Sequence, residues 1–268
     1  MRAEDALKAG DLDGALADLT ERVRRAPADA RLRVFLFQLL AVLGRWSRAL
    51  NQLAVAGELD AGTLAMVNTY RDALRCEALR DRVFAGERAP LLLGEPAEWV
   101  AWLLQALRLC AQGRADEAAE MRARAFEAAP ATAGLIDGEP FDWIADADGR
   151  LGSVLEAIVN GRYYWVPFQQ IRLLEIEPPA DLRDLVWAPA RVRWVNGGET
   201  VALIPTRYPG SESSDDARIR LARLTAWQER GGGLFAGLGQ RLLATDRGEY
   251  PLLAVRRIEL GRAAAPAD

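Results

Sequence analysis

Histidine is absent from all 268 residues, cysteine occurs twice and lysine once, as Lys8. Without an imidazole there is no Ser–His or Cys–His nucleophile activation, no histidine zinc ligand and no side chain that titrates unperturbed near neutrality. Chemistry would fall to carboxylates, arginine, tyrosine or a lone thiol. Cys76 and Cys110 are too few for a disulfide framework and form no Cys-x-x-Cys pair, which fits a reduced, cytoplasmic chain with both thiols as small buried hydrophobes. Charge of one sign is lacking too. Basic residues number 34 and acidic residues 38, a net charge of −4, so no concentrated positive field is available for nucleic acid. Nor is there a long apolar run: the window 32–43 contains Arg33 and Gln38 and falls short of the roughly 20 residues needed to cross a bilayer. Met1–Asp5 lacks the basic-then-apolar pattern of a secretory signal, so a soluble chain is expected.

Half of the residues are apolar, enough for one large domain or two ordinary ones. The character of the chain changes across 138–179. Before it, apolar residues recur at helical spacing and an internal repeat is visible. Gly10-Asp-Leu12-Asp-Gly-Ala15-Leu16 returns as Gly44-Arg-Trp46-Ser-Arg-Ala49-Leu50, 34 residues on, and again as Gly113-Arg-Ala115-Asp-Glu-Ala118-Ala119, 69 residues further. That period is the one of tetratricopeptide repeats, each a helix, a tight turn and a second helix. Glycine would end the first helix in the left-handed conformation, Leu12 or Trp46 would pack into the pair, and Ala15, Ala49 and Ala118 would let the helices approach. Pro27 and Pro130 would stop the second helix. Between 60 and 96 the repeat degenerates, and 63–84 reads as one uninterrupted helix. The expectation is a TPR-like array with an irregular middle, whose groove would accept a peptide or helix.

Within 142–149, Asp148-Gly149 resembles the centre of an EF-hand loop. Placed at loop positions five and six, they put Ile144 and Leu155 where oxygen ligands are required, so an acidic turn is expected and no metal site. Leu151, Val154, Leu155, Ile158 and Val159 draw an apolar stripe that predicts a short helix ended by Asn160-Gly161. Strands are expected over 163–168 and 171–176, and over 185–195 and 201–205 around the hairpin signal Asn196-Gly197-Gly198-Glu199. A second helix is expected over 215–230, ended by Gly231-Gly232-Gly233, and a last hairpin over 240–244 and 252–260. The fold class read from these signals is α+β: a TPR-like helical domain at 1–130, an antiparallel β-rich domain with two helices at 131–261, and a tail at 262–268.

Four ordered motifs carry a resemblance: Gly161-Arg-Tyr-Tyr-Trp-Val-Pro-Phe168, Pro179-Ala-Asp-Leu-Arg-Asp-Leu-Val-Trp187, Ile204-Pro-Thr-Arg-Tyr-Pro-Gly-Ser-Glu212 and Gly239-Gln-Arg-Leu-Leu-Ala-Thr-Asp-Arg-Gly-Glu-Tyr-Pro251. Following a TPR-like array, they resemble the ImpE/TagJ family, also called SciE-type virulence proteins, of bacterial type VI secretion systems. The resemblance implies a cytoplasmic adaptor that binds an N-terminal helical segment of the small contractile-sheath subunit and is linked to the unfoldase ClpV. It supplies no catalytic residue, cofactor or metal ligand.

Read physically, the motifs are mostly fold. Pro205, Pro209 and Gly210 make a turn that Arg207 and Tyr208 would pin, and Asp181, Arg183 and Asp184 would pair or cap. The residues expected to offer a partner surface are Tyr163, Tyr164, Trp165 and Phe168, because neighbours on a strand point to opposite faces, with Arg207 and Tyr208 beside them. Two other readings compete. One is a TPR-type peptide-binding scaffold unrelated to the sheath. The other is a carboxylate-dependent hydrolase built from Asp142, Asp146, Asp148 and Glu156; their spacing selects no acid/base pair, and neither a phosphate loop nor a dinucleotide fingerprint is present.

Overall fold

Glycine in the left-handed conformation sets the helical half. In the computed structural model, which describes residues 2–95 and 97–261, Gly10, Gly44 and Gly113 have φ of +79°, +64° and +74°. Each closes the first helix of a pair. The pairs are α1 (Ala3–Ala9) with α2 (Leu12–Arg25), α3 (Ala30–Val42) with α4 (Trp46–Leu59), and α6 (Glu98–Ala111) with α7 (Ala115–Ala128). Ala15, Ala49 and Ala118 are fully buried, as close helix approach requires. The degenerate stretch is the single helix α5 (Leu64–Phe84), which packs on α4 and, along its other side, on the sheet.

Among the described residues there are fourteen strands, the first between α5 and α6 and the others after α7. They are β1 (Leu91–Leu92), β2 (Gly134–Ile136), β3 (Glu139–Phe141), β4 (Ile144–Asp146), β5 (Val154–Val159), β6 (Arg162–Pro167), β7 (Ile171–Ile176), β8 (Trp187–Trp194), β9 (Glu199–Pro205), β10 (Thr225–Glu229), β11 (Phe235–Gly239), β12 (Leu242–Thr245), β13 (Gly248–Pro251) and β14 (Arg257–Leu260). The main sheet has nine strands in the order β1-β6-β5-β9-β8-β7-β14-β2-β3, antiparallel throughout except for β1 on β6. Beside it lie the pair β10-β11 and the three-stranded sheet β13-β12-β4. Among the described residues the β-rich part has one short α-helix, α8 (Ala217–Arg220), capped by Asp216 and lying between β9 and β10.

Two apolar clusters lie on opposite faces of the main sheet, the helix-side one leaving part of β7, β8 and β9 open. One joins the helices to Ile158, Tyr163, Trp165, Trp187 and Leu203 of the sheet. The other holds the opposite side chains, Leu155, Val166, Ala188, Val192 and Ile204, against Leu243 and Leu252. The helical array ends at Ala128 and the β-rich part begins at Gly134, yet the first cluster runs through both.

Two expected helices are strands. Within 151–159, Val154–Val159 is β5, buried along its whole length inside the sheet, and Asn160-Gly161 is the two-residue turn of the β5-β6 hairpin with φ of +49° and +71°. A strand covered on both faces reads as a nearly continuous apolar run, which periodicity alone does not separate from a helix. Asp137-Gly138 makes the same turn between β2 and β3. The stretch 215–230 forms only the four residues of α8; Ala222, at φ +53°, breaks the helix and the chain continues as β10. The glycines 231–233 are the β10-β11 loop. In the last hairpin the partner of β12 is β13, and 257–260 joins the main sheet as β14. The expected tail at 262–268 lies outside the described residues.

Candidate functional site

Where the helices meet the sheet, the contact is charged. α5 carries Tyr70, Ala73, Glu77, Arg80 and Phe84 along one face, so two ionisable groups stand on a stripe that is otherwise core. Arg80 donates to both oxygens of Glu156 on β5, at 2.6 and 2.9 Å, and to the carbonyl of Arg207 at 2.7 Å. Arg241, fully buried, bridges Glu156 and Asp146 of β4. Tyr163 donates its hydroxyl proton to Glu156 and accepts from Trp165 Nε1 at 2.8 Å. Glu77 accepts from Trp187 Nε1 at 2.7 Å. The carboxylates thus have donors for their lone pairs, the condition under which a buried charge is tolerated.

Burial raises the acid groups and their arginines oppose it. For Asp146 burial wins and the carboxyl is pushed up to about 6, whereas Arg80 and Arg241 pull Glu156 down to about 2. Burial likewise raises Glu77 and pushes the Cys76 thiol up to about 12. Carboxylates split in this way resemble an acid/base pair, but closed ion networks also perturb acidity. Both side chains are fully buried against their arginines. Asp148 is held by Arg150, and Asp142 stands apart, its N–H donating to Asp246.

Of the six residues expected at a partner surface, Tyr163, Trp165, Arg207 and Tyr208 lie at this seam, on its inside, and Tyr164 and Phe168 lie on the opposite face of the sheet. Tyr163, Trp165, Phe168, Arg207 and Tyr208 are buried, and Tyr164 is half-buried against the second core. Alternation along β6 does turn neighbours to opposite faces, but both faces are covered. Arg207 caps α3: its guanidinium donates to the carbonyl of Val42 at 2.8 Å, with Ala41 and Arg220 as further acceptors. A cation there meets the negative end of the helix dipole. Tyr208 lies against Gly237 and its hydroxyl donates to Asp146 at 3.0 Å and accepts the Leu242 N–H at 3.0 Å. As expected, Asp181 and Asp184 cap a turn, Leu182–Leu185.

Outside this seam three cavities follow one another, neighbours sharing a lining residue, and together outline a groove. The first, about 290 Å³, lies between α4 and α5 over Leu50, Leu53, Gly57 and Leu64. The second, about 320 Å³, shares Asn68 with it and runs between α5 and the β5-β6 and β9 strands to Val201. The third, about 530 Å³, shares Val201 and opens on the uncovered face of β7, β8 and β9, where Arg191 and Arg193 stand. Leu64 is 48% exposed and Val201 67%, large apolar side chains at both ends of the middle section. None of the three cavities is lined by Asp146, Asp148 or Glu156. Glu77 and Arg80 at core spacing on α5 are the sequence signal for the seam; the groove has none.

A helical-repeat array locked onto an antiparallel sheet, with polar groups closed inside and a groove of mixed apolar and charged lining outside, has the build of a protein-binding module. A profile of the ImpE protein family matches residues 138–259. The type VI secretion system accessory component TagJ of Pseudomonas aeruginosa is 54% identical over 97% of this chain and 91% of its own. The chain belongs to the ImpE family. The crystal structure of protein VPA1032 from Vibrio parahaemolyticus, 25% identical, superposes over 98% of both chains with a TM-score of 0.89.

Proposed function

We propose that this protein is a non-catalytic adaptor of a bacterial type VI secretion system, acting in the cytoplasm. It takes a helical segment of the small contractile-sheath subunit into the groove between α4, α5 and the open sheet face, and through the sheath it is linked to recycling by ClpV. The relationship to TagJ, an accessory component of such a system, supports the setting. The observation that carries the mechanism is the groove itself, since an amphipathic helix lays apolar anchors into such a channel, and Leu64 and Val201 are placed to receive them. The competing hydrolase reading has three of its four carboxylates, Asp146, Asp148 and Glu156, bound to arginines in the interior, with Asp142 apart at the surface.

A pull-down with the purified small sheath subunit tests the reading. The intact subunit is retained and a version lacking its first helix is not. Equal retention of both would rule out helix capture.

A further inference from the structure

Sheet edges are where a β protein is open to another chain, because an unpaired row of N–H and C=O groups accepts an extended backbone. Most edges here are closed. β1 has two residues, β3 carries Pro140 at its centre, β13 ends on Pro251, and the Asp146 N–H of β4 is taken by the Gly152 carbonyl. The outer edge of β11 is closed as well. Its Gly237 N–H donates to Asp148 at 2.8 Å, its Gly239 N–H to Ser211 Oγ at 2.7 Å, and the Gly239 carbonyl accepts from the Tyr208 N–H at 3.0 Å.

β10 lacks any such closure. Its register with β11, with the bonds from Arg230 N–H to Leu234 and from Gln240 N–H to Leu224, turns the backbone groups of Ala226 and Gln228 toward β11. Thr225, Trp227 and Glu229 therefore direct theirs away, and these groups have no backbone or side-chain partner among the described residues. The strand is five residues long and holds neither proline nor lysine. Trp227 is 38% exposed and Phe235, on the same face, 52%.

We propose that β10 is a self-association edge, on which two copies of this chain pair antiparallel about a two-fold axis through Trp227. The strand specifies its own copy as the occupant. Only 225, 227 and 229 face outward, and an axis at Trp227 sets Thr225 opposite Glu229 of the second copy and Trp227 opposite its equivalent. Every outward group then finds a partner at once, about six main-chain hydrogen bonds in all. No like charges meet, since Glu229 faces Thr225 and Arg230 faces Leu224. The two Trp227 rings come together on the face where each already leans on Tyr208, at 5.7 Å between centroids. So short an edge buries less than a tight dimer needs, and the dissociation constant is expected at about 10 µM or above.

Sedimentation velocity of the full chain from about 1 to 300 µM brackets that range. A dimer should grow in with concentration. Glu229→Pro removes an outward N–H while leaving the bonds to β11 in place, and should weaken dimerisation about tenfold or more; Trp227→Lys, which sets like charges together on the axis, should do the same. Glu229→Ala keeps the N–H and should dimerise like the wild type. A wild-type chain that stays monomeric throughout overturns the proposal. So does a dimer that persists unweakened in Glu229→Pro and Trp227→Lys, or one that Glu229→Ala weakens as much as proline does.

Discussion

Glu156 is the residue on which the two halves of the molecule converge, accepting from Arg80 of the helical array and from Arg241 and Tyr163 of the β-rich part. Removing one member of such a network leaves the rest buried and uncompensated. Arg80→Met is expected to destabilise the fold by about 3–5 kcal/mol in chemical denaturation, with Glu156→Gln somewhat less because the amide keeps the shape and one acceptor. The two carboxylates also set opposite responses to pH. Glu156, lowered from 4.5 to about 2, contributes stability that is present above 4.5 and is lost as pH falls toward 2. Asp146, raised from 3.8 to about 6, contributes stability that is present below 3.8 and is lost as pH rises through 6. Denaturation midpoints followed from pH 7 to 3 should therefore lose part of their acid-side fall in Glu156→Gln. In Asp146→Asn the gain between pH 7 and 5 should disappear. Unchanged profiles in both variants would contradict this assignment.

At the scale of elements, glycine decides where the β-rich part closes on itself. Gly239 at the end of β11 has φ of +86°, and a Cβ there would lie 1.9 Å from the Leu224 carbonyl oxygen. Gly239→Ala is thus expected to cost about 2 kcal/mol or more, read as a lowered denaturation midpoint, because the obstacle is backbone. The repeat turns at Gly10, Gly44 and Gly113 and the long α5 were legible, since a left-handed glycine and a 3.6-residue period are local signals. So were β7, β8, β9 and the hairpin at 196–199. β5 was not, because a central strand covered on both faces presents an apolar run that fits either period. Asn160-Gly161 was the better clue, a two-residue hairpin turn where a helix end was expected. β10 escaped for another reason: its partner β11 is glycine-rich, and strand propensity there comes from the close approach of Tyr208 and Leu224 rather than from the residues themselves. The aromatic run at 163–168 is recognisable as a strand with a core face, but not as one covered on both faces, because burial on the second face depends on β12 and the chain after β13, far along the sequence.

The whole molecule is organised so that its charged groups fasten one half to the other and its groove faces outward. Arg80 to Glu156, Glu77 to Trp187 and Arg207 to the end of α3 hold array and sheet in one register, so the channel between α5 and the open sheet face is formed before any partner arrives. Preformed channels bind without the entropy loss of ordering their walls. Binding should therefore depend on the groove's apolar anchors and be indifferent to distant surface positions. The most direct measurement is calorimetric titration of the small sheath subunit into the wild-type chain and into Leu64→Glu and Val201→Glu, both exposed positions where folding should be unaffected. A charge in the path of an apolar helix face is predicted to weaken binding by about tenfold or more in each variant. Affinity equal to that of the wild type in both would contradict the assignment of this groove as the site of capture.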